Sequence, residues 1–192
     1  MPYKHGASEE YALSEEELQL LWNECKELAD KVLVGLTAFC GLRASEATHF
    51  RLAWIRQEAI NIPSQVPCGC WECAKRGYWK PKSKAGIRAV PIPAFLRPVL
   101  AEYLAFRPDG LGITRQSAWY KTRDLAAKAK LQNKVFPHSL RSTYATMLAS
   151  KGMEATAICY LLGWSRLEVA QSYVRIARAK TIAIKQIKEI WG

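Results

Sequence analysis

The chain has 192 residues, of which 49% are hydrophobic, and it contains six cysteines. Its 28 lysines and arginines exceed its 17 aspartates and glutamates, which gives a formal net charge of +11. This length supports one sizeable core, and the sequence has no run of about eighteen apolar residues that could span a membrane. The N-terminus lacks the basic and then apolar pattern of a signal peptide. We therefore expect a cytoplasmic protein whose cysteines stay reduced or bind a metal.

The positive charge is concentrated in the body of the chain. Residues 1–30 hold eight acidic and two basic side chains, whereas residues 31–192 hold nine acidic and 26 basic ones. A body this basic favours a polyanionic partner, with nucleic acid ahead of an anionic membrane surface. The alternative is a protein that is basic without such a partner.

The N-terminal part of the domain has helical patterns. Ser14 and Glu17 form a capping box, which predicts a helix over residues 15–30. An apolar helix is expected over residues 31–41, where a glycine ends it. A short helix is expected to follow over residues 43–51.

Three short segments have the β-branched and aromatic content and the proline punctuation of strands, namely residues 58–63, 77–82 and 87–93. The helical pattern then returns over residues 94–106, 116–130, 139–151, 154–162, 167–179 and 180–190. The sequence therefore predicts a mixed α/β fold, predominantly α-helical, with one small antiparallel sheet of about three strands. We divide it into a leader (1–13), a single domain (14–192), an insertion between strands (63–77) and a C-terminal helix (180–192).

Two stretches place an arginine near the start of a helix, in "GLRASE" and in "HSLRSTYATML". An arginine there opposes the helix dipole, so Arg43 and Arg141 each have a local cost that an anion would offset. For Arg43 the anion could be Glu46, as an internal ion pair. Two such arginines with His138 nearby favour a bound anionic group.

The stretch "LLGWSRLEVAQSYVR" contains Tyr173, nine residues after Trp164. At helical spacing Tyr173 lies within a broad apolar arc, and a tyrosine on such a face is usually a packing residue. The stretch alone therefore favours a role in the core, and only the rest of the chain favours chemistry.

In this order, "GLRASE", "HSLR" followed by "AT", and "LGWS" followed by a tyrosine resemble the signature boxes of tyrosine recombinases, the phage and plasmid integrase family. The resemblance runs from Ser14 to the C-terminus and corresponds to the catalytic domain of that family. Each box alone is weak evidence, whereas the ordered set is highly specific.

The resemblance implies a role for each residue. Tyr173 would attack the scissile phosphodiester to give a 3′-phosphotyrosine and a free 5′-hydroxyl. Arg43 and Arg141 would hold the non-bridging oxygens, and His138 would support proton transfer. Trp164 stands where the family more often has histidine, and its indole can donate one hydrogen bond but cannot carry a proton. The resemblance implies no catalytic metal or other cofactor.

A lysine on the turn between two strands would protonate the leaving 5′-oxygen. The segment "WKPKSKAGIRAVPI" offers three candidates. The resemblance to the family pattern favours Lys82, which follows a proline, and Lys84 is a rival. Lys80 is expected to lie within the strand.

A separate cluster of cysteines lies in the insertion, where Cys68, Cys70 and Cys73 form a C-x-C-x-x-C pattern. Zinc binds thiolates at such spacings, but a structural site needs a fourth ligand, for which Cys25, Cys40 or a histidine is a candidate. A disulfide between Cys68 and Cys73 and three free thiols are the alternatives.

The resemblance implies a site-specific DNA recombinase, an integrase of a mobile element from a prokaryote, virus or plasmid. Its partners would be double-stranded DNA attachment sites and further copies of itself, as a homo-tetramer on DNA with the C-terminal helix as a subunit contact. We expect the chain to be a fragment of a longer integrase. A DNA relaxase resembling type IB topoisomerases and a non-cleaving DNA-binding regulator are the alternative functions.

Overall fold

The structure, a computed structural model, describes residues 9–132 and 134–191. The α-helices are α1 (Glu15–Glu24), α2 (Leu28–Val34), α3 (Ala44–Thr48), α4 (Leu96–Phe106), α5 (Arg115–Lys128), α6 (Pro137–Ser150), α7 (Ala155–Leu162) and α8 (Leu167–Trp191). The strands are β1 (Ile55–Arg56), β2 (Ala59–Ile62), β3 (Val66–Pro67), β4 (Tyr78–Trp79) and β5 (Arg88–Pro91). The predicted fold, mostly helical with a small antiparallel sheet, is confirmed.

The predicted capping box is present at the start of α1. The Ser14 hydroxyl accepts a hydrogen bond from the Glu17 N–H at 3.1 Å, and the Glu17 carboxylate accepts one from the Ser14 N–H at 2.9 Å. The single helix predicted over residues 15–30 is wrong, because α1 ends at Glu24 and α2 begins at Leu28. The backbone leaves the helical region at the residue after α1 and is extended at the residue before α2.

The helix predicted over residues 31–41 changes type within its length. After α2 comes a π-helical turn, Gly35–Phe39, in which the Cys40 N–H donates to the Gly35 carbonyl at 3.2 Å. The segment ends, as predicted, at Gly41, whose φ is +61°. A side chain at Gly41 would also collide with the ring of Tyr144, so glycine is needed there for two reasons.

The strands form two sheets and not one. Strands β1, β2 and β5 form an antiparallel sheet in that order, with Ile60 opposite Val90. The predicted strand over residues 77–82 is not part of it, because β4 pairs with β3 in a separate hairpin, which closes the insertion and extends it to Trp79. The sequence analysis missed β1, because the β1–β2 turn uses Gln57 and Glu58 at positive φ where glycine or asparagine is the usual signal.

Three groups of buried side chains hold the elements together. The largest joins the three-stranded sheet to α2 and α4, and the second joins α1 and the π turn to α5 and α6. The third lies between α6, α7 and α8 and includes Tyr173. The predicted packing of Tyr173 on an apolar face is therefore confirmed, and its neighbours decide whether it can also react.

Helix α8 is one continuous helix over 25 residues, so the break predicted at residue 180 is wrong. No proline or glycine lies within it to end the helix. Only Ala170 and Tyr173 are buried. Ile176 and five large apolar side chains of its second half are exposed, the latter being Ile182, Ile184, Ile187, Ile190 and Trp191.

Residues 1–8 of the predicted leader lie outside the described residues, and so does residue 192 of the predicted C-terminal helix. Within the last residues of the leader, Leu13 is buried and its N–H donates to the Thr143 hydroxyl of α6 at 2.9 Å. In the described part of the chain, no helix has both the length and the apolar character needed to cross a bilayer.

Candidate active site

A buried carboxylate organises the arginines. Glu46 is 1% exposed in the first turn of α3, and its Oε1 lies 2.8 Å from Nη1 of Arg43. Both of its oxygens accept from Arg88, at 3.1 and 3.0 Å, and Nη1 of Arg141 lies 3.9 Å from Oε2. Three guanidinium groups thus surround one carboxylate, which leaves an excess of positive charge.

The pKa shifts follow from this arrangement. Burial raises the pKa of the Glu46 carboxyl, but the charge of Arg88 and the other arginines outweighs burial and holds that pKa below its usual value. Burial, followed by the like charge of Arg43, lowers the pKa of Arg141 well below its usual value. Glu46 is therefore ionised, and one carboxylate faces three guanidinium groups, which favours an additional anion.

Arg141 is 2% exposed and connects two other parts of the chain. Its Nη1 donates to the carbonyl of Gly41, and its Nη2 donates to the carbonyl of Leu162 at the end of α7. These bonds fix the plane of the guanidinium group between the first and third sequence boxes. Arg141 is thus held in place by α6, the Gly41 turn and α7 together.

The turn after α7 depends on Gly163. Its φ is +57°, and a Cβ there would lie 2.6 Å from the carbonyl oxygen of Ala85. The close approach lets the Gly163 carbonyl accept from Nη2 of Arg43 at 2.6 Å. Glycine is therefore required by both the left-handed backbone and the contact with the segment after β4.

Trp164 and Tyr173 stack on each other beside Arg141. Their ring centroids are 5.4 Å apart with an interplanar angle of 24°, and Cζ of Arg141 lies 5.9 Å from the Trp164 ring. The Tyr173 hydroxyl donates to Oγ of Ser142 at 3.3 Å, and the side chain is 5% exposed. Tyr173 is thus both a packing residue and a neighbour of the arginine cluster.

The candidate lysines lie on the segment between β4 and β5, where Lys82 and Lys84 are both exposed. A Cβ at Gly86 would lie 3.7 Å from Nη1 of Arg43, so this segment passes directly beside the cluster. Lys84 precedes Gly86 by two residues and Lys82 by four, and the structure does not decide between them. The assignment of Lys82 as the proton donor stays a prediction.

His138 is the second residue of α6 and is exposed. It lies one helical turn before Arg141, so the two side chains share a face of α6. The site therefore places Arg141, Trp164 and Tyr173 beside one another and joins Arg43 to them through Glu46 and Gly163. The lysine segment and His138 lie at its edge.

The order and convergence of these residues agree with a comparison to known families. The model of the phage integrase family matches residues 12–180. The chain belongs to the phage integrase family. This confirms the resemblance that the sequence boxes indicated.

The known proteins that the chain resembles are recombinases. Tyrosine recombinase XerD of Pseudomonas aeruginosa is 28% identical over 162 residues, covering 80% of this chain and 51% of that protein. The chain thus spans about half the length of the curated relatives it matches.

Solved structures share the fold. A crystal structure of XerA recombinase superposes with a TM-score of 0.72 at 22% identity, covering 96% of this chain and 65% of that one. XerH recombinase, in a post-cleavage complex with a palindromic difH substrate, gives a TM-score of 0.68 at 20% identity, covering 93% and 53%. The catalytic-domain fold of this integrase-family chain is therefore established.

The sequence analysis gave no role to Arg88. It is 5% exposed, and besides Glu46 its Nε donates to the carbonyl of Leu161 at 2.6 Å. The sequence did contain a sign of this role. Arg88 is spaced by two residues from Val90 and Ile92, so all three lie on the buried face of the strand. A charge on that face requires a partner.

The cysteine insertion also forms a cluster. Cys68, Cys70 and Cys73 converge with His49, and one ligand atom from each lies within 4.8 Å of every other. His49 directly follows α3, and the sequence alone offers a histidine as one candidate for the fourth ligand without singling out this one. The cluster could hold a metal ion.

Proposed function

We propose that this chain cuts and rejoins DNA strands as a site-specific recombinase, through a 3′-phosphotyrosine intermediate. One observation carries the proposal: Trp164 stacks on Tyr173 and lies beside Arg141, while the preceding Gly163 is bonded to Arg43. Residues from three distant parts of the sequence thus place a nucleophile beside excess positive charge. That combination suits attack on a phosphodiester.

In the proposed step, Oη of Tyr173 attacks phosphorus and the bond from phosphorus to O5′ breaks. The tyrosine proton passes to His138 or to solvent beside it, and Lys82 donates a proton to the leaving O5′. The energy of the broken bond is kept in the phosphotyrosine link. Attack by the 5′-hydroxyl of another strand reverses the step and completes the exchange.

Arginine side chains provide the charge that this step requires. A guanidinium has five N–H donors, and the contacts to Glu46 and Gly163 use two of those on Arg43, whose side chain is 23% exposed. The remaining donors can bind non-bridging oxygens as negative charge grows on them. Glu46 acts as a positioning residue, because it orients the arginines without reaching the phosphate.

Tyr173 must move before it can react. Its hydroxyl is buried and bonded to Ser142, so a phosphate of duplex DNA cannot reach it in this arrangement. We propose that DNA binding shifts the first turns of α8 and exposes the hydroxyl. The stack with Trp164 then limits how far the ring travels.

The proposed partners are duplex DNA and other copies of the chain, acting in the cytoplasm. The basic body supports binding to DNA, and the XerH relative was solved with a DNA substrate. The exposed apolar side chains on the second half of α8 support docking onto a neighbouring subunit, with a tetramer on DNA as the proposed assembly.

No metal is required for the proposed chemistry, because arginines and a lysine provide the positive charges that a metal ion would supply. For the cluster of Cys68, Cys70 and Cys73 we propose a structural zinc ion. Soft thiolate ligands favour zinc over the harder cations used in phosphoryl transfer.

The decisive experiment is a cleavage assay with a nicked suicide substrate of the native attachment site, analysed for a covalent protein–DNA adduct. Tyr173→Phe should abolish the adduct while leaving the circular dichroism spectrum and DNA binding nearly unchanged. Tyr160→Phe is the matched control, since that tyrosine is 58% exposed and lies outside the arginine cluster. An adduct that persists in Tyr173→Phe but disappears in Tyr160→Phe would show that the nucleophile is assigned wrongly.

A further inference from the structure

The cysteine and histidine cluster has the dimensions of a tetrahedral zinc site. Nε2 of His49 lies 3.4 Å from Sγ of Cys70 and 3.5 Å from Sγ of Cys73. Zinc bonded to sulfur at about 2.3 Å and to nitrogen at about 2.0 Å in a tetrahedron would separate the two ligand atoms by about 3.5 Å. Cys68 is the remaining ligand, and His49, Cys68 and Cys73 are buried.

The ring of His49 is already oriented as a ligand. Its Nδ1 lies 2.8 Å from the carbonyl oxygen of Ser45, which can only accept, so Nδ1 carries the proton and Nε2 presents a lone pair to the thiols. Trp79 stacks on the ring at 5.6 Å and donates from Nε1 to the Ser45 hydroxyl at 2.8 Å. A hydrogen bond to the backbone and a stacked ring thus fix the direction of Nε2.

We infer that His49 is the fourth ligand of a Cys₃His zinc site, and that the ion positions the lysine segment relative to the arginine cluster. The inference rests on the proposed zinc ion, and its second half also rests on the proposed cleavage reaction. Four protein ligands leave no open position, so the site is structural.

Apart from the cluster, the insertion is held by a short hairpin and by Trp79, which is buried at the end of β4. Its strands β3 and β4 are two residues each, and Trp71 is 74% exposed. Outside the cluster, Glu72 forms an ion pair with Arg115 of α5 at 3.1 Å. The Arg115 side chain is largely exposed, so this ion pair contributes little to stability. Binding of a metal ion would supply the folding free energy that so small a hairpin lacks.

The ion would connect two parts of the active site. His49 caps the C-terminal end of α3, and Arg43 caps its N-terminal end. On the other side, Cys73 precedes β4, which leads within three residues from Trp79 to Lys82. A zinc ion shared by His49 and the three cysteines therefore fixes the start of the lysine segment to the helix that bears Glu46.

The first test measures metal in the purified chain. We expect one zinc per chain by elemental analysis, and cobalt exchanged for zinc should give the intense visible bands of tetrahedral coordination with thiolate charge-transfer absorption. His49→Ala and Cys73→Ser should each weaken metal binding by at least about tenfold. Cys25→Ala is the matched control, a buried cysteine outside the cluster, and should keep full occupancy.

Several outcomes would overturn the zinc site. One is a chain with no zinc and a mass that indicates a disulfide. Another is a zinc-free chain with three free thiols that does not take up cobalt. Unchanged cobalt bands in His49→Ala would overturn the fourth ligand. None of these measurements depends on cleavage, so they separate the metal site from the proposed function.

The second test measures how metal loss affects the chemical step. His49→Ala should slow cleavage of ordinary DNA by at least about tenfold, the effect of losing a metal-orienting group. A 5′-bridging phosphorothioate, whose sulfur leaves without protonation, should restore most of that rate. An equal loss on both substrates would show that the ion does not position the lysine segment, whereas a wild-type chain inactive on both would refute the proposed function instead.

Discussion

The two ends of α3 gather opposite kinds of group. At its N-terminal end, three guanidinium groups surround the Glu46 carboxylate and leave positive charge in excess. At its C-terminal end, one ligand atom each of His49 and three cysteines lies within 4.8 Å of every other. In our proposals an anion completes the first cluster and a cation the second, although only five helical residues separate them.

The difference lies in how long each partner stays. In the proposed function a substrate phosphate is present only during reaction, so the arginines must keep their positions without it, and Glu46 with the carbonyls of Gly41, Leu162 and Gly163 holds them. The proposed metal ion stays bound and would itself hold the thiols, while His49 is oriented in advance by Ser45 and Trp79. A transient ligand requires a site built in advance, while a resident ion can help to build its own.

The largest expected effect concerns the lysine segment, which runs from the cysteine cluster to the arginine cluster. Lys82→Ala should slow cleavage of ordinary DNA by roughly two to four orders of magnitude, because the leaving oxygen loses its proton donor. Single-turnover rates on ordinary and 5′-bridging phosphorothioate DNA measure this, and the phosphorothioate should rescue the variant. Rescue of Lys84→Ala in place of Lys82→Ala would move the assignment by two residues.

Removing the charge of Glu46 from the arginine cluster should destabilise the fold. Glu46→Gln removes the counter-ion of buried guanidinium groups, and we expect a loss of about 3–5 kcal/mol in the free energy of unfolding, measured by denaturant titration. Glu15→Gln is the matched control, because its ion pair with Lys151 is exposed at the surface. That control should lose less than about 1 kcal/mol. Equal losses in the two variants would mean that Glu46 does not organise the cluster.

Lowering the pH should gradually reduce the contribution of Glu46 to the stability of the fold. Because the folded pKa of Glu46 is lowered, its contribution to stability is complete above the unfolded pKa of about 4.3 and is lost as the pH falls through the folded pKa. The difference in unfolding free energy between wild type and Glu46→Gln should therefore be constant near neutral pH and shrink below about pH 4. A difference that grows on acidification would have the wrong sign for this arrangement.

The smallest expected effect is that of magnesium. Omitting it and adding EDTA just before the substrate should leave the cleavage rate unchanged, because arginines and a lysine stabilise the transition state. A strict requirement for magnesium in the chemical step would point to a nuclease-like mechanism. It would also leave Tyr173 as a packing residue only.

Local signals in the sequence predicted much of this molecule. The capping box at Ser14, the glycine stop at Gly41 and the apolar face around Tyr173 depend on neighbours within a few residues, and the structure contains all three. The ordered boxes predicted the family, which the comparison confirmed. The roles of the individual site residues stay predictions.

Long-range pairing accounts for what the sequence did not reveal. The buried bond from Arg88 to Glu46 joins residues 42 positions apart, and no local pattern specifies it. The sequence around His49 did not identify it as a metal ligand either. A histidine after a short helix becomes a candidate ligand only when the fold brings the cysteines beside it. The strand predicted over residues 77–82 was assigned to the wrong sheet for a similar reason, because its pairing partner, β3, lies about twelve residues earlier in the chain.

The π-helical turn at Gly35–Phe39 has a consequence for the number of residues between α2 and α3. Its hydrogen bonds span five residues, so the turn accommodates one residue more than an α-helical turn would. If the same residues formed a regular α-helix instead, the extra residue would no longer be taken up by the wider turn, and everything that follows would be rotated by about 100°. Leu42 would leave the core, and Arg43 and Glu46 would turn together away from Arg88 and Arg141. The extra residue thus sets the angular register in which the first signature box meets the rest of the site.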